Sequence, residues 1–416
     1  MLTITLLAAA AATYAPAPSE PLQETGRMAI RAGTIHTMAG PPISDGVILI
    51  DGGVITEVGS SADVTIPEGW PTREAAVATP GLVDAHCSVG LAGFLNIDHD
   101  NDEVDRTEAI QPELRAIDAF DLDNPLVGWV RSFGVTTVHT GHAPLQLVPG
   151  QTMVAKTAGR TVEEAVVVPE AMIAAVLGDA GRGGNGRPGT RAKSAAELRQ
   201  ALHDAVEHGR KMDEATSDEP VSRDLRQEAM VRVVRGETPL LLTAHESRDI
   251  VTALRIADEF PGLRLVLDGC AEATDVIEEL RTSRVPVVVH PTMQRSGGEA
   301  ENLSMETART LVEAGILTAL QSGYEGYVPR SRVLLFEAAI AARYGLDRER
   351  ALRMVTLDAA RICGVGGLVG SLETGKHGDV ALFDGDPFEY TTHCVGTVIE
   401  GQLVSDGEQW YAFDER

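Results

Sequence analysis

Residues 79–90, Thr-Pro-Gly-Leu-Val-Asp-Ala-His-Cys-Ser-Val-Gly, end a run of β-branched and small residues on Asp84-Ala85-His86. Side chains on a strand repeat with period two, so a histidine two residues after His86 would point the same way. Two imidazoles at that spacing can grip one metal ion, and here the second position is Ser88. Other histidines close other apolar runs: Thr-Val-His-Thr-Gly-His at 137–142, Leu-Leu-Thr-Ala-His ending on His245, and Val-Val-Val-His ending on His290. Singly, each reads as a hydrogen-bonded histidine. Four at strand ends point to a pocket, though not specifically to a metal. Lys156 ends another apolar run, Met-Val-Ala-Lys, in a chain with only four lysines among 35 basic residues. Burying it requires a partner.

The elements that would carry these residues alternate. Apolar strands at Val135–His139, Met153–Lys156, Pro239–Ala244, Arg264–Asp268, Val285–His290 and Leu317–Gln321 are separated by helical stretches. Among those, Ser194–Met212, Ser247–Glu259, Ala273–Ser283 and Met305–Ala314 carry apolar residues at three- and four-residue spacing. Strand–helix alternation on this scale predicts a parallel sheet, and closure into a (β/α)8 barrel fits residues 80–366. An open doubly wound sheet is the alternative, but no glycine-rich phosphate loop follows a strand. Short strands and tight turns over 27–79 and 367–416 predict one small β-sandwich domain built from both chain ends. Residues 1–26 read as a leader. The protein is periplasmic or secreted if that segment is a signal peptide, and cytoplasmic otherwise.

Composition narrows the partners. With 61 acidic and 35 basic residues the formal charge is −26, which argues against nucleic acid and anionic membrane surfaces. No stretch beyond the leader is apolar enough to span a bilayer. Cys87, Cys270, Cys363 and Cys394 share no metal-knuckle or redox spacing and read as buried thiols. The glycine-rich segment Gly181–Thr190 reads as a loop over the barrel mouth. Asp98–Asp105 lacks the glycine and glutamate of a calcium loop and reads as a solvated acidic loop.

These pieces in this order resemble the amidohydrolase superfamily, nearest its imidazolonepropionase-like group. The resemblance rests on Thr-Pro-Gly-Leu-Val-Asp-Ala-His at 79–86, Phe-Gly-Val-Thr-Thr-Val at 133–138 and Arg-Ile-Cys-Gly-Val at 361–365. It rests also on Gly-Ser-Leu-Glu-Thr-Gly-Lys-His-Gly-Asp-Val-Ala at 370–381 with Phe-Asp-Gly-Asp-Pro-Phe at 383–388. It implies a metal-dependent barrel, a small-molecule substrate and an expectation of homo-oligomers. It also implies a ligand set that this chain only partly keeps. His86 and His245 stand at family positions, whereas Ser88, Thr243, Gly269 and Gly323 mark departures, and no carboxylate follows the last strand until Glu325.

Three functional readings follow. One is a hydrolase of carbon–nitrogen bonds in non-peptide or cyclic amides. It would use one rebuilt divalent-metal site, zinc by preference, on His86, His245 and His142 or His290. The second is a metal-free relative that binds a small ligand in the barrel mouth. The third is metal-free acid–base catalysis through Lys156, Asp268 and His290. The expected roles are catalysis for Asp268, Ser322 and Glu325, and substrate binding for Lys156, His290, Tyr324 and Tyr327. Lys156 is read as ion-paired with Asp268 or aimed at a substrate carboxylate, ahead of a carboxylated metal bridge.

Overall fold

The computed structural model describes residues 26–94, 100–183, 188–216, 220–324, 331 and 333–407. Four strands open the chain: β1 (Met28–Ile35), β2 (Ile43–Asp51), β3 (Val54–Ser60) and β4 (Thr72–Pro80). The barrel strands are β5 (Leu82–Cys87), β6 (Val135–Gly141), β7 (Gly150–Lys156), β8 (Val166–Val168) and β9 (Ile173–Val176), followed by β10 (Leu240–Ala244), β11 (Leu265–Gly269), β12 (Val287–Val289) and β13 (Thr318–Leu320). The tail adds β14 (Val380–Phe383), β15 (Cys394–Ile399) and β16 (Gln402–Ser405).

The barrel strands lie in the order β13-β12-β11-β10-β9-β7-β6-β5, with β8 beside β7. A bridge between Cys87 and Gly323 draws the segment after β13 onto β5 and nearly closes the circle. Helices surround it: Arg191–Glu214 is started by the Thr190 side chain accepting from Lys193 N, and Ser247–Glu259 buries Ile250, Ala253 and Ile256 on one face. The expected alternation of strand and helix is present. Its exception is β7, which runs antiparallel to both β6 and β9. Only residues 142–149 join β6 to β7, too few for the dozen or more a parallel crossover needs, so the two strands form a hairpin.

Both chain ends build a second, continuous seven-stranded sheet, β16-β15-β14-β4-β1-β2-β3. Period-two alternation divides its side chains. Ile30, Ile48, Ile50, Val380 and Leu382 pack together, while Val47 and Leu49 face Val64 on the opposite side. On β14 the same alternation turns Ala381 and Phe383 into the barrel's own cluster. The sheet therefore packs directly on the barrel.

Candidate functional site

Strands pointing one way carry their C-terminal residues to one end of a barrel. There lies a cavity of about 60 Å3 whose wall includes His86, Thr243, His245, Asp268, His290 and Gln321, with Tyr324 and Pro144 at its rim. At its centre His86 Nδ1 donates to Asp268 Oδ1 at 3.2 Å, with the two side chains 5% and 3% exposed. Thr243 Oγ1 donates to Asp268 Oδ2 at 2.7 Å and Gln321 Nε2 to Oδ1 at 2.7 Å. Burial alone would raise the Asp268 pKa. The His86 charge and hydrogen bonds from His86, Thr243 and Gln321 outweigh it and hold the carboxyl below its ordinary value. Burial likewise opposes a charge on His86, yet Asp268, with Asp84 behind it, raises the imidazole above the usual histidine value.

His290 is fully buried. Its Nδ1 donates to the Pro291 carbonyl at 3.0 Å, and its Nε2 has no partner among the described residues. Burial pushes its pKa down to about 4. His245 Nδ1 is also buried without a partner among the described residues.

Behind this wall, Asp84 accepts from the Ser322 amide at 3.0 Å and from the Ser322 hydroxyl, which itself lies 2.9 Å from Ser331 Oγ. Burial raises Asp84 to about 6 despite those bonds.

Several expected roles need correction. Ser322 is buried with its hydroxyl committed to Asp84, away from the cavity wall, so it cannot act on a ligand there. Lys156 pairs with Asp379, not Asp268, because the reversed β7 carries its C-terminal end to the opposite end of the barrel, against the second sheet. Catalysis through Lys156, Asp268 and His290 together is thereby removed. His142 packs against Gly150, where an added Cβ would meet its Cδ2 at 2.3 Å, and it does not line the cavity. His139 is spent inside the barrel, with Nδ1 donating to Ala85 O at 2.7 Å and Nε2 2.6 Å from Thr152 Oγ1. Glu325 and Tyr327 lie outside the described residues. His86, His245, Asp268, His290 and Tyr324 do meet at the cavity.

Three partners escaped the sequence reading. Gln321 and Thr243 clamp Asp268, and Glu103, in the stretch expected to be solvated, is 4% exposed and accepts from Tyr324 OH at 3.3 Å. A polar residue at the end of β10, next to β11, and one just after β13, two strands away, are the available signal for the first two. Nothing local marked Glu103.

The residues present do not fit the expected metal. A catalytic divalent ion needs about three protein ligands and an open position. No group of three or more His, Cys, Asp or Glu able to hold one occurs among the described residues. The set His86, His142 and His245 is not assembled. His142 is absent from the cavity wall, and two glycines stand where the resemblance would place further ligands. Gly269 has φ +83°, and a Cβ there would sit 2.7 Å from His245 Cε1. Gly323 has φ +71°, and a Cβ would sit 2.5 Å from Pro291 Cγ. Neither position can take a ligating side chain without moving its neighbour. Burial also keeps Cys87 and Cys270 protonated, far from thiolate ligands.

Residues 285–405 match the family model described as the amidohydrolase family. The amidohydrolase tasK of Hapsidospora irregularis is 24% identical over 398 residues, 87% of this chain, and the chain spans only 40% of that relative's length. A solved amidohydrolase from Thermotoga maritima MSB8 is similar across 91% of this chain and 100% of its own, with TM-score 0.84 and 27% identity. An adenosine deaminase from Xanthomonas campestris, solved with bound zinc, shares the fold at TM-score 0.53 and 17% identity, covering 90% of this chain and 92% of its own.

Proposed function

We propose that this chain, similar to amidohydrolases over residues 285–405 and in its fold, hydrolyses a carbon–nitrogen bond of a small non-peptide or cyclic amide, using the His86–Asp268 pair in place of a metal centre. The observation that carries this reading is the 3.2 Å contact between His86 Nδ1 and Asp268 Oδ1, buried at the cavity wall. With Nδ1 committed to Asp268, the proton left for a ligand is on Nε2. An imidazolium held there by a carboxylate donates to a carbonyl oxygen and stabilises the negative charge that develops as water adds to the carbon. One proton of the attacking water passes to the nitrogen, the C–N bond breaks, and the amine departs with that proton while the carbon keeps the water's oxygen as a carboxylic acid.

A second reading, a ligand-binding relative without turnover, is favoured by one observation. Asp268 already accepts from three donors and has little capacity left to take a proton from water.

Metal analysis of protein purified without chelator, combined with turnover of an amide and lactam panel, tests both readings. We expect less than about a tenth of an equivalent of metal, since no three His, Cys, Asp or Glu among the described residues are placed to hold an ion together. Turnover should survive chelation, decline as pH rises through the elevated His86 pKa, and fall about 100- to 1,000-fold in His86→Ala. A full equivalent of metal, or chelator-lost activity restored by zinc, rules out the metal-free mechanism. Saturable ligand binding lost in His86→Ala, with no turnover anywhere in the panel, leaves the second reading.

A further inference from the structure

The cavity wall has an unmatched polar group. His290 is 0% exposed, and its Nδ1 donates to the Pro291 carbonyl at 3.0 Å. A carbonyl can only accept, so the proton of the neutral ring is on Nδ1 and the lone pair is on Nε2. That Nε2 is buried without a partner among the described residues and belongs to a residue of the cavity wall. Leaving such an acceptor unsatisfied costs more than a typical hydrogen bond is worth, so the site favours an occupant that donates. His245 Nδ1, on the same wall, supplies a second unpartnered polar atom for the occupant's other polar group.

Charge narrows the donor further. The Asp268 carboxylate is balanced by His86 beside it and covered by Thr243 and Gln321. A cation entering this chamber would meet an Asp268 already engaged by His86, Thr243 and Gln321 and, among the described lining residues, no other carboxylate, which makes its desolvation expensive. A neutral N–H group meets no such cost. The volume, about 60 Å3, accepts a group of a few heavy atoms and not a whole drug-sized ligand.

We propose that His290 Nε2 is the recognition point for a neutral N–H donor, a terminal carboxamide, a ureido group or a lactam N–H, that the ligand inserts into this chamber. The inference rests on the reading that the barrel mouth is the substrate site, and it assigns that site its chemical selectivity. His290 acts here by accepting. Burial leaves its ring too weakly basic to draw a proton from water at neutral pH, a role that calls for a pKa near 7.

The test uses the full chain labelled with 15N at histidine, with long-range 1H–15N spectra recorded during titration. The probes are acetamide, methyl acetate of similar shape but without N–H, and guanidinium chloride. The His290 Nε2 resonance, identified by its loss in His290→Asn, should move saturably with acetamide. Affinity for acetamide should exceed that for methyl acetate by about tenfold, the usual worth of one hydrogen bond. His290→Gln, which keeps an acceptor near the Nε2 position, should retain the preference, and His290→Asn should lose it. Equal affinity for the two neutral probes, tightest binding of guanidinium, or an unmoved resonance consistent with water alone would each overturn the proposal. If both variants fail to fold, the comparison of probes on the native chain still decides. Turnover is a separate readout, because donor preference can hold without hydrolysis and hydrolysis can persist without donor preference.

Discussion

At the scale of single residues, the site is a set of buried polar groups whose charges are arranged in pairs. His86 and Asp268 stabilise each other's charged forms. Asp84 adds to the charge on His86 but is not itself held ionised. It is held at about 6 because burial outweighs its bonds from Ser322 and His86. A carboxyl whose folded pKa lies above its unfolded value favours the folded state most when protonated. Its contribution is therefore greatest below about pH 4 and is lost as pH rises through about 6. The two-unit displacement corresponds to about 3 kcal/mol. We expect the stability of Asp84→Asn relative to the native chain to rise by about that amount between pH 4 and 7. Denaturant unfolding at a series of pH values measures it, and parallel curves for the two proteins would contradict the assignment. Gly269 and Gly323 work at this scale too. Their positive φ and the rings that fill their Cβ space make the loss of ligands a property of backbone and neighbours together, not of two side chains.

At the scale of elements, the decisive feature is the direction of β7. A hairpin connection reverses it and carries Lys156 from the mouth to the base of the barrel, where it meets Asp379 just ahead of β14. Both side chains are almost fully buried, at 4% and 3% exposure. Asp379 Oδ1 also accepts from the Glu400 amide at 3.1 Å. Removing one member of such a pair leaves an uncompensated charge, so Lys156→Met should lose about 3–5 kcal/mol. The double variant Lys156→Met with Asp379→Leu should recover most of that loss, short of the native value because the Glu400 amide stays unpaired. Equilibrium unfolding of the three proteins checks this. A double variant as unstable as the single one would show that the pair contributes by more than charge balance. Turnover or ligand binding at the distant cavity should change little in any of them.

At the scale of the whole molecule, the barrel and the second sheet are joined at many points. β4 runs into β5 through Gly81, where an added Cβ would meet the Thr136 side chain at 2.2 Å. The Gly81 amide donates to Asp379 O at 2.9 Å, and Thr397 Oγ1 donates to Arg131 O at 2.7 Å. His36 Nδ1 on one side lies 2.6 Å from Glu349 Oε1 on the other. Phe383, buried at 1% exposure, completes the barrel's core from the sheet. Elements that share a core and a buried ion pair should unfold together. Trp129, in the barrel helix Pro125–Ser132, and Trp70, beside the second sheet, report on the two parts separately. With the third tryptophan, Trp410, also replaced by Phe, fluorescence of Trp70→Phe and Trp129→Phe variants should give coincident unfolding midpoints, and two separated transitions would show that the parts are independent.

The amino-acid sequence by itself determined the alternation of strands and helices, the second sheet drawn from both ends, and the presence of His86, His245, His290 and Asp268 at strand ends. These are local properties, written in period, propensity and turn residues, and they survive whatever the tertiary packing does. The eight residues between β6 and β7 also held the direction of β7, in a connection too short for a crossover. Only the tertiary structure decided that Asp268 partners His86, that Lys156 partners Asp379, that Ser322 turns to Asp84, and that the rings of His245 and Pro291 occupy the space beside Gly269 and Gly323. Each joins residues distant in the chain. A buried charge takes whichever partner the packing brings within hydrogen-bond reach, and no local pattern specifies that partner.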